Sequence, residues 1–545
     1  MRPDFNLIDK EWIPCITLDG HRMKYGILDT LLKAHNLREI YDDSPLVTVA
    51  LHRLLLAVLY RTHDGPNDFQ AWANLCAHHT FSGESVTAYL NRWRDRFYLV
   101  ADDTPFFQMG RLGMKKVVSV TRLATECASG NNATLFDHSS DEEEANWSPA
   151  QVARWLVACQ SFALGFGKSG EARIEEKDET LPYSADAIAL RGMNVWLQGE
   201  TLFDTLMINL VPGDDSSQPP WEMDHPHENR DLVDGKKRKV VSSFGVVDRF
   251  TWQSRLVRLL PNGGAFSRMY FTQGRSADKS QGDPMKVYRA SREEGVAPLP
   301  LSGNKAAWRD AHSIFMIPAS NSKERRPECF NLVARSATAK VAPVAARFVV
   351  HVVGLASAPK KAGKFLLWRH DRMPLPTAIL CNDTLIERLG ALLEDAENVG
   401  SALNERTRRI AKLYLAPESE SPDGRKPDKD EVTKLAEGLD PRPIYWARME
   451  EHFFRLLEDL SGDWDAANDY WKPDDQQTAT NTWRKHVREE ARRALEESIR
   501  SLGMTARALQ AVARVRTDFK DDDLMRQPQT AAKGKRKAKG GKKRR

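Results

Sequence analysis

Residues 383–413 read DTLIERLGALLEDAENVGSALNERTRRIAKL. Leu385, Leu389, Leu392, Ala396, Val399, Leu403, Ile410 and Leu413 recur at three- and four-residue steps, the period of one helix face. Asp383 stands where a cap belongs. Downstream, the same period predicts helices over 441–461 (Trp446, Phe453, Leu456, Leu457), 476–500 (Trp483, Val487, Leu495, Ile499) and 504–519 (Leu509, Val512). A polar connection rich in Pro and Asp, 417–430, separates the first two. Four amphipathic helices with mostly short links predict a C-terminal four-helix bundle over 383–520. Their outer faces are dense in Arg and Glu, which suits water or a partner.

Upstream the pattern changes. Residues 1–376 read as one large mixed α/β domain, so the expected class is α+β. Residues 12–16 and 96–100 look like strands, and 46–60 like a buried helix in which Leu51, Leu54, Leu55 and Val58 share a face. Pro105-Phe106-Phe107-Gln108-Met109 reads as an aromatic core turn. From about 190 to 375 short β-like runs dominate, including Phe250-Thr251-Trp252-Gln253 through Leu260 and the run 348–354.

The chain has 545 residues and a formal charge of +5. Residues 526–545 hold ten Lys or Arg and no acid, so the remainder carries −5. That basic tail has no apolar surface to bury and is expected to be disordered. It suits nonspecific phosphate contact or simple solubility. No run of about 18 apolar residues is evident, and the N-terminus lacks an apolar signal core, so no membrane association is expected. Cys15, Cys76, Cys127, Cys159, Cys329 and Cys381 lie far apart with no C-x-x-C pair, which predicts reduced thiols, a cytoplasmic location and no cysteine zinc site.

Between 131 and 170 two polar loops flank one helix. The first reads Asn131-Asn132-Ala133-Thr134-Leu135-Phe136-Asp137-His138. Ser148-Pro149 announces the helix. Val152, Trp155, Leu156 and Phe162 line it before Gly165-Phe166-Gly167-Lys168-Ser169-Gly170. A phosphate-binding P-loop needs glycine five residues before Gly167, and Phe162 stands there. An ATPase is therefore excluded on pattern. Two readings stay open: Gly165 as a left-handed helix cap, or a glycine loop through which a backbone approaches another polymer.

Catalytic signals are thin. His225-Pro226-His227 lacks a second ligand pair. His63-Asp64 and His370-Asp371 match the dipeptide of HD-type metal phosphohydrolases, which makes a metal-dependent nuclease the competing enzyme reading. No G-x-S-x-G or H-E-x-x-H motif occurs.

Taken in order, Phe5-Asn6-Leu7-Ile8-Asp9, Trp12-Ile13-Pro14, Pro105-Phe106-Phe107-Gln108, Leu135-Phe136-Asp137-His138, the Gly165 loop, Phe250-Thr251-Trp252-Gln253, Trp368-Arg369-His370-Asp371-Arg372 and Pro374-Leu375-Pro376 resemble one family. It is the CasA-type large subunit of the type I-E CRISPR Cascade complex, and the likeness covers nearly the whole chain. The resemblance implies a noncatalytic protein without cofactor or metal. It implies recognition of the protospacer-adjacent motif (PAM) in duplex DNA through the minor groove, strand separation and R-loop formation. The implied partners are target DNA, the 5′ end of the guide RNA, the backbone and small helical Cascade subunits, and a helicase-nuclease. Carried over by position, Gly165, Gly167 and Lys168 correspond to the family's glycine loop. Asn131, Asn132, Phe136 and His138 correspond to its DNA- and guide-contacting loop. Arg275 and Lys279 are the candidates for its minor-groove lysine, with Lys286 behind them. The strand-separating wedge falls on Lys360, Lys361 and Ala362, where the family's glutamine is missing. A scaffold that binds DNA only through its basic tail is the third reading.

Overall fold

The computed structural model describes residues 4–62, 65–125, 145–165, 171–174, 177–213, 216–227, 233–234, 237–238, 242–276, 282–291, 295–341, 347–357, 365–515 and 517–524. The chain divides into two compact units, residues 1–386 and 387–545. The first mixes helices with small antiparallel sheets, and the second is a helical region, so the class is α+β.

The first unit is built around the helix Pro45–Thr62. The expected stripe of Leu51, Leu54, Leu55 and Val58 is fully buried, but so are Val47, Val49, Leu56 and Leu59 on the other faces. A helix apolar all round belongs in the middle of a core. By length and composition it would also span a membrane; instead 89% of it is buried within the fold. It packs against the helices Pro149–Phe162 and Val246–Phe250.

The strand Asn194–Gln198 pairs with Arg347–Ser357, which pairs in turn with Phe365–Pro376. Arg255–Asn262 and Ala265–Gln273 form a second hairpin, extended by Val118–Ser119. Two strand expectations are corrected. Phe250 ends the helix Val246–Phe250, and the strand begins only at Arg255. The Arg249-Phe250 end is held by Arg53, which donates to the Arg249 carbonyl and lies over the Phe250 ring. Likewise 94–97 is a 3₁₀ turn, leaving Tyr98–Val100 as the strand.

In the helical region the long helix spans Asp383–Leu415. Its cap is Asn382, whose Oδ1 accepts from the Thr384 and Leu385 amides at 2.9 and 3.3 Å; Asp383 sits in the first turn instead. The helices Arg442–Asp459 and Thr478–Ile499 pack on each other. Trp483 Nε1 donates to the Leu392 carbonyl, and Tyr445 Oη to that of Ala396. Gly400 makes room for Trp446, since a Cβ there would lie 2.8 Å from its ring. A further, unexpected helix, Lys429–Gly438, begins at the end of the connection 417–430, where Asp428 caps it by accepting from the Asp430 and Glu431 amides. The last expected helix is shorter, Ala506–Ala513, and buries Ala508 and Ala511 while Leu509 is exposed.

Candidate nucleic-acid interface

The helix Pro149–Phe162 begins as its sequence demands. Ser148 Oγ accepts from the Gln151 amide, and Pro149 fills the first turn, where its missing N–H costs no hydrogen bond. Its end corrects the expected left-handed cap. Ala163 is extended (ψ 135°), and Gly165 is absent from the residues with positive φ. Glycine is needed at 165 because of close approach. A Cβ would lie 2.6 Å from the Asp186 nitrogen and 2.7 Å from the Ala185 carbonyl carbon. The Gly165 amide donates to Asp186 Oδ1 at 2.9 Å.

A buried arginine holds this junction together. Arg255 is 1% exposed, and its Nη2 donates to the carbonyls of Leu164 and Ala185, both at 2.7 Å. Gln160, in the last turn of the helix, exchanges two hydrogen bonds with the Arg255 backbone. Gln273 Oε1 accepts from the Ala185 amide. Residues 166–170 therefore leave from a base bracketed on both sides. The segment 126–144 starts beside it: Thr125 Oγ1 donates to the Phe162 carbonyl at 2.9 Å. At its far end Trp147 pairs with Phe266 on the strand Ala265–Gln273. Among the expected site residues, Gly167, Lys168, Asn131, Asn132, Phe136, His138, Lys279, Lys360, Lys361 and Ala362 lie outside the described residues, as does His63-Asp64.

Two basic candidates turn inward. Arg275 is 4% exposed, clamps Asp248 through Nη1 at 2.7 Å and Nη2 at 3.2 Å, and lies 3.7 Å from the centre of the Trp252 ring. Its expected contact with DNA is corrected to an interior ion pair. Lys286 donates to the carbonyls of Ile188 and Arg191, and burial pushes its pKa down to about 7. Lys279 is left as the basic candidate in this stretch.

The hairpin of Arg347–Ser357 and Phe365–Pro376 carries the wedge candidates, for 358–364 join its paired ends Ser357 and Phe365. His351 Nε2 lies 2.6 Å from Gln198 Oε1, and its Nδ1 lies 2.8 Å from His370 Nε2. Donation from Nε2–H to Gln198 leaves Nδ1 to accept from His370, and Trp196 stacks on His351 at 4.5 Å. Asp371 does not join its neighbour. Its Oδ2 accepts from the Ala307 amide at 2.6 Å and pairs with Arg369. Successive residues of a strand face opposite ways, so His370-Asp371 cannot act as a joint metal clamp. Among the described residues no group of three or more His, Cys, Asp or Glu is placed to hold a metal.

Burial holds His52 and His370 at a pKa of about 4, and His351 well below the ordinary range, with Arg372 lowering the last two further. An unfolded imidazole takes its proton near 6.5, so the unfolded chain binds more protons below that pH. Stability is thus full above about pH 6.5 and falls as pH drops toward 4. For His52 the expected loss by pH 5 is on the order of 2 kcal/mol. Urea unfolding at pH 7 and pH 5 measures it, and His52→Gln should flatten the slope. An unaltered slope in that variant would count against the assignment.

Residues 6–494 match the family model described as CRISPR-associated protein Cse1. CRISPR-associated protein CasA/Cse1 of Thermus thermophilus is 30% identical over 524 residues, covering 94% of this chain and 96% of that protein. The solved structure of Thermus thermophilus CasA (Cse1) superposes with a TM-score of 0.73 at 27% identity, over 94% of this chain and 97% of that one. A chain of a CRISPR RNA-guided surveillance complex shares the fold, with a TM-score of 0.69 at 18% identity over 94% and 98%.

Proposed function

The chain belongs to the CRISPR-associated Cse1 (CasA) family, and on that premise we propose that it is the noncatalytic large subunit of a type I-E Cascade. In this reading it recognises the PAM in duplex DNA, starts strand separation and recruits the helicase-nuclease. The observation that carries the reading is the Thr125–Phe162 hydrogen bond, which starts the two polar segments from one point on the first unit. Glycines let main chain enter the narrow minor groove, whose degenerate pattern suits tolerance of several PAMs. Lys168 and Lys279 supply positive charge to the phosphates. Asn131, Asn132, Phe136 and His138 contact DNA and the 5′ end of the guide RNA. Sequence is then read by guide pairing, as in other RNA-guided systems.

The wedge is assigned to 360–362. The two long strands give that connection a firm base, and Lys360 and Lys361 hold a phosphate while Ala362 enters between the strands. The helical region docks on the small helical and backbone subunits through its charged outer faces.

The test reconstitutes the guide-RNA complex with and without this chain. Duplexes with an intact or scrambled PAM carry a fluorescent base beside it. With the chain, the intact PAM should bind more tightly and the base should brighten on opening. Without it both effects should vanish, while a chain lacking 526–545 should keep them. Equal PAM preference in the complex without the chain would refute the reading.

A further inference from the structure

The turn Pro105-Phe106-Phe107-Gln108-Met109 was expected simply to fill core, and Phe106 and Phe107 are indeed 2% and 6% exposed. Yet it also forms one wall of a cavity of about 410 Å³, a volume suited to a small-molecule ligand. Trp221 and the turn His225-Pro226-His227 line it further, and Gln253 closes its inner side. The rings of Phe106, Phe107 and Trp221 lie within 24° of parallel. Phe106 and Phe107 stack on each other with centroids 4.3 Å apart, and Trp221 joins them at 6.2 and 6.1 Å, which makes one continuous aromatic wall.

Two further observations mark the cavity as more than a packing gap. Gln253 is 1% exposed, and while its Nε2 donates to the Thr251 carbonyl, its buried Oε1 has no hydrogen-bond partner. An unmet buried acceptor costs about 1–3 kcal/mol, which a ligand N–H would relieve. Phe107 has φ +54°, a left-handed conformation that a bulky residue rarely adopts. Its carbonyl is held there by Gln160 Nε2 at 3.3 Å. Strain of this kind gathers at ligand sites.

Beside the cavity lies a second cleft of about 470 Å³, which shares Asp103, Gly110 and Arg111 with it and adds Asp102, Arg173 and Arg258; Arg111 is taken up by Asp103, to which it donates twice, at 3.0 and 2.7 Å. Arg173 is exposed on the strand Glu171–Ile174, and Arg258 is half-buried. An aromatic wall with one waiting acceptor thus lies beside the guanidinium groups of Arg173 and Arg258. That pairing fits a heteroaromatic ring bearing an N–H and joined to an anionic group.

We propose that this cavity and its cleft form a nucleotide-binding site, with the base stacked on the Phe106–Phe107–Trp221 wall and its N–H donating to Gln253 Oε1. The phosphate lies between Arg173 and Arg258. The nucleotide comes either free from solution or as one unpaired residue of a strand. The site does not depend on the PAM reading. Gln160 ties it to the glycine-loop base, since it bonds both Phe107 and Arg255.

The test uses the full chain with 2-aminopurine riboside 5′-monophosphate, and separately with a single-stranded oligonucleotide holding one 2-aminopurine. Stacking on the aromatic wall should quench the fluorophore saturably. Quenching of the free nucleotide identifies the soluble source, and quenching of the oligonucleotide alone identifies a strand. Adenosine monophosphate should compete, and ribose 5-phosphate should compete at least tenfold more weakly. Arg173→Ala with Arg258→Ala should weaken binding about tenfold. Gln253→Leu should do the same for the base, with circular dichroism confirming the fold. Absence of saturable quenching with both probes overturns the proposal. So does equal competition by ribose 5-phosphate, or unchanged affinity in the arginine double variant, whose side chains lie outside the core.

Discussion

Asp283→Ala is expected to destabilise the first unit by about 3–5 kcal/mol, the cost of leaving a buried cation alone. Arg53 and Asp283 are 0% and 1% exposed and meet in a two-pronged ion pair, at 2.8 and 3.2 Å. Arg53 sits in the middle of the core helix Pro45–Thr62, so its guanidinium cannot reach water. Its other ties are a 3.4 Å bond to the Arg249 carbonyl and the face of Phe250. Asp283 also accepts from the Met285 amide, so its loss frees a loop as well. Burial alone would raise the Asp283 pKa, but Arg53 and Lys286 outweigh it and hold the carboxyl at about 2. The pair's stability is therefore present above the ordinary carboxylate range near 4 and is lost as pH falls through about 2. Guanidinium unfolding would measure the effect. A double variant, Arg53→Met with Asp283→Leu, should be less damaged than Asp283→Ala, because neither charge is then stranded. A loss below about 1 kcal/mol in Asp283→Ala would show that the pair contributes little.

The second large effect separates two glycines only two residues apart. Gly167→Asp is expected to weaken binding of a PAM-bearing duplex by the assembled complex on the order of a hundredfold, about 2.7 kcal/mol. In the proposed interface the new side chain would block close approach and bring a negative charge toward phosphate. The melting temperature of the isolated chain should stay within a degree or two of the parent. Gly165→Asp should also weaken binding, but through the fold. Its Cβ would press into the Ala185–Asp186 backbone, and its carboxylate would stand beside that of Asp186. A drop of several degrees in melting temperature is therefore expected for Gly165→Asp alone. Unchanged duplex affinity in Gly167→Asp would remove the glycine loop from the proposed interface.

The long helix over 383–415, the core helix and the Ser148–Pro149 start were all legible in the sequence. Apolar period and capping residues act within a few residues of one another. Two caps escaped that reading for different reasons. Asn382 lies one residue before the expected Asp383, and boundaries of that fineness depend on which side chain turns back. The Thr478–Ile499 helix is capped by Asp463, which accepts from the Ala479 and Thr480 amides across a loop. No local pattern signals it.

The charged residues divide in the same way. Arg275 and Lys286 were candidates through the family resemblance, by position alone, and no local pattern tells a buried cation from an exposed one. Their actual partners, Asp248 and the carbonyls of Ile188 and Arg191, come from 27 to 98 residues away. Gly165 shows the contrast within one residue. The sequence by itself determined that a helix stops just before this glycine, since side-chain period and backbone propensity are local. Only the tertiary structure decided why the glycine is required. Asp186 and Arg255 arrive from distant segments, and an interior that excludes water makes every polar group find its partner wherever the folded chain brings one.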